Sequence, residues 1–82
     1  MLDYFCGNPK AMKRFGSCFK QLRHDLGFTQ KEAAEFCVVS VTDIKNVEKG
    51  KDYIPILILF GYQAMCGIAT SKNIKYVKWN FS

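Results

Sequence analysis

The chain has one histidine and four cysteines, the residue types that most often carry catalysis or hold a metal. His24 stands beside Arg23, and no Ser, Cys or carboxylate lies at a spacing that would set a nucleophile against it. Cys6, Cys18, Cys37 and Cys66 include no C-x-x-C pair, and one imidazole does not complete a zinc site with them. No glycine-rich phosphate loop is present, and Gly61 and Gly67 instead suit close helix packing. These residues argue against an enzyme and against any metal or other cofactor. The even cysteine count would fit a disulfide framework, but no secretory signal precedes it. The cysteines read as reduced, mostly buried small hydrophobes of a cytoplasmic protein.

The chemistry that remains is ionic and hydrogen-bonding. Twelve Lys and Arg against seven Asp and Glu give a net charge of +5, which favours a polyanionic partner such as nucleic acid or an acidic surface. With 82 residues, 49% of them hydrophobic, the chain is one folded domain whose core must be helix-rich, oligomeric or cross-linked to be stable.

The elements that would position such groups centre on Thr29 to Gly50, TQKEAAEFCVVSVTDIKNVEKG. Thr29 and Glu32 have capping-box spacing, which fixes a helix start, with Phe28 and Ala33 placed for a small apolar staple. Ser40 and Asp43 repeat that spacing and start a second helix after one turn at residues 37–39. Gly50 ends it, because Gly takes the left-handed conformation at little steric cost. Two helices this short need packing support.

That support is legible on both sides. Asn8 and Pro9 begin a helix in which Met12, Phe15, Phe19, Leu22 and Leu26 recur at steps of three and four, and Gly27 stops it. Its other face carries Lys13, Arg14, Lys20 and Gln21, readable as a solvated surface or as contacts to a phosphate backbone. After a loop at residues 51–53, IPILILFGYQAMCGI reads as a helix from Ile54 or Pro55 to Cys66, apolar nearly all round. It falls short of the about 20 residues that span a bilayer, so no membrane is expected, and one face must be covered by another chain or by the termini. Residues 2–6 and 73–81 read as short strands, the latter needing a partner edge from the same chain or a second one.

From about Phe15 to Ile68, two-thirds of the chain, the sequence resembles the lambda repressor and Cro-like helix-turn-helix family of bacterial and phage transcription regulators. The matching residues are Leu22-Arg23, the LGFTQKEAA of Leu26 to Ala34, Cys37, Val39, Ser40, Ile44, Val47, Glu48 and Gly50, running without a gap to Gly67-Ile68. The resemblance implies a mainly α fold: a compact four-helix lambda repressor-like domain, core about 10–68, here with short N- and C-terminal strands. It also implies sequence-specific binding of double-stranded DNA, with repression expected ahead of activation.

In the resemblance the helix after Ser40 enters the major groove. Ala34 sits where the two motif helices cross, and a larger side chain there would push them apart. Ile44 and Val47 turn inward, leaving Val41, Thr42, Lys45, Asn46 and Lys49 outward. Thr42 and Asn46 suit base edges, Asn being fitted to adenine; Val41 suits a thymine methyl, and Lys45 a guanine or a phosphate. Gln30 matches the family's phosphate-binding Gln, and Ser40 and Lys51 complete the DNA-contact set. Arg23 and Glu48 match a structural pair that ties the first helix to the end of the reading helix.

Two positions depart from the family. Val38 stands where Gly is usual, so the turn is either strained or follows a different path. Leu57 and Ile58 stand where polar residues are usual; with Tyr76 and Trp79 of the tail they are assigned to a homodimer interface. The competing reading is a protein-binding module on the same fold, such as an antitoxin or a phage antirepressor.

Overall fold

A computed structural model describes residues 4–5, 7–51 and 53–72. They form a mainly helical domain: β1 (Tyr4–Phe5), α1 (Pro9–Asp25), α2 (Gln30–Cys37), α3 (Val41–Glu48), β2 (Ile54–Pro55) and α4 (Ile56–Ser71). The strand expected over residues 73–81, with Tyr76 and Trp79, lies outside the described residues.

Each of the first three helices starts on a side-chain cap. The Asn8 side chain accepts from the Ala11 N–H at 2.8 Å with Pro9 at the first helical position, where its missing N–H costs nothing. Thr29 with Glu32 and Ser40 with Asp43 form complete capping boxes. The Thr29 amide hydrogen bond holds the Glu32 carboxyl below its usual range. Phe28 packs partly against the core and also meets the Phe36 ring, with centroids 5.7 Å apart.

The same three helices share one ending. In each, a residue of positive φ follows the helix, and the next N–H reaches back to a carbonyl five residues earlier: Phe28 to Arg23, Val39 to Ala34, and Lys51 to Asn46. Gly27 (φ 75°) and Gly50 (φ 77°) fill that position after α1 and α3; after α2 it is Val38 at φ 59°, ψ 49°. Of the two paths open to the corner, this is the strained one. The chain makes the left-handed turn despite the β-branched side chain, which is 76% exposed and gains little from packing.

The core is one cluster. Met12, Phe15, Phe19 and Leu22 of α1 face Ile58, Tyr62, Met65 and Ala69 of α4, with Ala33, Ala34, Cys37, Ile44 and Val47 closing it from α2 and α3. The Phe15 and Tyr62 rings lie 5.0 Å apart at its centre. Glycines permit two close crossings: a Cβ on Gly16 would collide with the Val47 carbonyl oxygen, and one on Gly61 with the Cys37 sulfur. Gly67 meets nothing, so only Gly61 serves the close packing expected of both. Cys18, Cys37 and Cys66 form no disulfide, and burial pushes the Cys37 thiol up to about 11, as befits an inert packing residue.

The last helix departs from the sequence reading at both ends. Ile54 and Pro55 are extended and pair antiparallel with Phe5 and Tyr4, so α4 starts at Ile56. Proline disfavours a helical conformation in the residue before it, which keeps Ile54 extended, and the pairing with residues 4–5 holds Pro55 out of the helix as well. The helix then passes Gly67 and ends at Ser71, where the Thr70 hydroxyl donates to the Cys66 carbonyl and Ser71 to that of Ile68, both at 2.9 Å. Burial of Ala69 anchors this last turn against the roughly 1 kcal/mol that a helical Gly costs relative to Ala. No helix among the described residues is long and apolar enough to cross a membrane.

Candidate nucleic-acid interface

The outward side of α3 is set by its inward one. Ile44 (0% exposed) and Val47 (2%) anchor it to the core, and the helical period places Thr42, Lys45 and Lys49 on the opposite, solvent-exposed side. Asn46 is half-buried on its flank. Val41, expected to point outward, is half-buried and packs against the core, because the first turn of α3 lies against the corner with α2. Ser40 is exposed, but its hydroxyl oxygen already accepts from the Asp43 N–H at 3.1 Å, leaving the O–H to donate outward. Lys51 is exposed just past the end of α3.

The orientation of this face is fixed from below by Arg23. Its Nε donates to Glu48 Oε2 at 2.7 Å and its Nη2 to Oε1 at 3.1 Å, while Nη1 donates to the Phe28 carbonyl at 2.8 Å. Both side chains are sheltered, 7% and 5% exposed, so the two-point geometry holds with little competition from water. The structure thus joins the two residues expected to pair. Exposed His24 places its Nε2 3.4 Å from Arg23 Nη2.

Gln30 is drawn into the same arrangement. Its Nε2 donates to Glu48 Oε1 at 3.2 Å, so the amide expected to face a phosphate turns partly inward. It keeps one Nε2 hydrogen for an outside acceptor, beside the N–H groups of the first turn of α2. Around this point lies a concavity of about 370 Å³ lined by Lys20, Gln30, Lys45, Glu48 and Lys49. Lys20 comes from α1, and its approach to α3 depends on the Gly16 crossing. No spacing within the sequence announces that approach.

The interface expected on α4 requires a correction. Ile58 is 0% exposed and belongs to the core of its own chain, so it is not available to a second one. Leu57 is 43% exposed, and its companion on the surface is Phe60, 62% exposed. Helix geometry explains the exchange: residues at i and i+3 share a face, whereas neighbours diverge by about 100°. Tyr76 and Trp79 lie outside the described residues. Among the described residues no cluster of three or more His, Cys, Asp or Glu is placed to hold a metal ion.

No protein-family model matches the chain, and no curated protein matches it.

Proposed function

We propose that the chain is a small transcription regulator of the lambda repressor-like helix-turn-helix type, reading double-stranded DNA with α3. The observation that carries this reading is the presentation of α3. It is capped at Ser40, closed at Gly50 and clamped through Glu48, and it presents Thr42, Lys45 and Lys49 to solvent. Hydroxyl, amide and ammonium groups on a rigid exposed helix are what base edges and phosphates require. The net charge of +5 supports the same partner.

A regulator of this size works as a two-fold homodimer, each copy setting one α3 into successive turns of the groove on a palindromic operator. Leu57 and Phe60 supply the exposed apolar surface for that contact. Repression follows where the operator overlaps a promoter.

The same apolar surface favours a second reading, in which the domain binds another protein. Selection from a pool of random duplex DNA at two salt concentrations separates the two. Enrichment of a short palindrome, with retention falling steeply as salt rises, supports the DNA reader. Failure to enrich any sequence, with no effect of salt, favours the protein-binding module.

A further inference from the structure

We infer that the concavity between α1 and α3 is a seat for one backbone phosphate of the duplex, and that Lys20 of α1 is one of its ligands. The inference rests on the DNA reading and adds to it a contact from outside the two motif helices.

Three lysines line the concavity: Lys20 from α1, Lys45 from α3, and Lys49 one helical turn further on, at the cap that closes α3. Like charges brought together by folding repel, and a protein usually offsets them with a carboxylate. Among the described residues the only carboxylate lining this concavity is Glu48, and both of its oxygens are taken by the Arg23 guanidinium. No salt bridge to Lys20, Lys45 or Lys49 forms among the described residues. The positive charge is therefore unspent, and it faces solvent beside the helix that would lie in the groove. An oxyanion fits the chemistry on all sides. The lysines neutralise it, and the remaining Nε2 hydrogen of Gln30 can donate to it. Glu48, neutralised by Arg23, holds Gln30 in place without repelling the anion. Lys49 and Lys20 then grip the strand flanking the groove from two helices, fixing how deeply α3 sits.

A phosphate contact carries no sequence information, but it adds counterion release. The test compares Lys20→Ala, Lys20→Arg and Lys72→Ala in the full chain, measuring affinity for a selected duplex and a scrambled one across a range of sodium chloride concentrations. Lys20 is exposed, so thermal unfolding should match the wild type in all three and report intact folding. The seat predicts that Lys20→Ala lowers the slope of log K against log salt by about 0.9, the value for one phosphate. It predicts an equal fold-loss on both duplexes, leaving their ratio unchanged. Lys20→Arg restores the slope, and Lys72→Ala, outside the concavity, leaves it at the wild-type value. A wild-type slope in Lys20→Ala, from a parent that does bind duplex, overturns the seat and spares the DNA reading. A parent that binds no duplex at any salt concentration overturns both.

Discussion

Arg23 and Glu48, 25 residues apart, meet in a two-point ion pair whose Nε to Oε2 distance is 2.7 Å. The same guanidinium holds the carbonyl of Phe28, and the same carboxylate holds the amide of Gln30. One pair of side chains thereby links the end of α1, the entry to α2 and the last residue of α3. Because both are nearly closed to water, removing one strands the other. Glu48→Ala should cost about 3 kcal/mol in urea unfolding, and Glu48→Gln, which keeps one acceptor oxygen, should cost less. Unchanged stability in Glu48→Ala would show that the pair does not hold the helices.

Val38 offers the opposite test, a natural residue that should be improved by replacement. Left-handed backbone costs an L-residue about 1–2 kcal/mol, while Gly gives back roughly 0.5–1 kcal/mol through the greater freedom of its unfolded chain. With its side chain 76% exposed, Val38 loses little packing on truncation. Val38→Gly should therefore stabilise the protein by up to about 1 kcal/mol, and each kcal/mol is worth about 4–8 °C in Tm for a domain of this size. A lower Tm would mean that the valine contributes packing which its exposure does not reveal.

On the face proposed to read DNA, Asn46 and Lys49 should fail differently. Asn46→Ala should relax preference at one base position per half-site, at about 1–3 kcal/mol, because a bidentate amide contact discriminates between bases. Lys49→Ala should weaken all sequences alike and flatten the salt dependence. Binding measured on a panel of single-base operator variants distinguishes these patterns, and equal losses across the panel for Asn46→Ala would remove it from the readers.

For α4, the buried and exposed neighbours give contrasting expectations. Ile58→Ala should cost about 2–5 kcal/mol in unfolding, as a core truncation does, whatever the state of assembly. Phe60→Lys, at a position 62% exposed, should leave the Tm nearly unchanged and shift the protein from dimer to monomer in sedimentation. A Phe60→Lys protein that still sediments as a dimer would place the interface elsewhere.

Much of the scaffold is legible in the sequence because local chemistry decides it. The caps at Asn8, Thr29 and Ser40, the glycine endings at Gly27 and Gly50, and the stripe from Met12 to Leu22 all act within a few residues of themselves. The inward pair Ile44 and Val47 is legible for the same reason, and it determines which side of α3 faces out. What escaped is what tertiary contact decides. The pairing of Ile54 and Pro55 with residues 4–5 delays α4, and burial of Ala69 carries that helix past Gly67. The stretch from Ile56 to Gly61 offers no polar residue to mark its outer face, so Ile58 and Phe60 exchange roles. The convergence of Lys20 on α3 arises only once Gly16 lets α1 come close.

The central claim, that the outer side of α3 is the DNA-reading surface, is tested most directly by following backbone amide resonances as a selected duplex is added. The proposal predicts the largest shifts at Thr42, Lys45, Asn46 and Lys49, with smaller ones at Gln30 and Lys20. Shifts confined to the Leu57 and Phe60 side of α4, or none at a duplex excess, would contradict it.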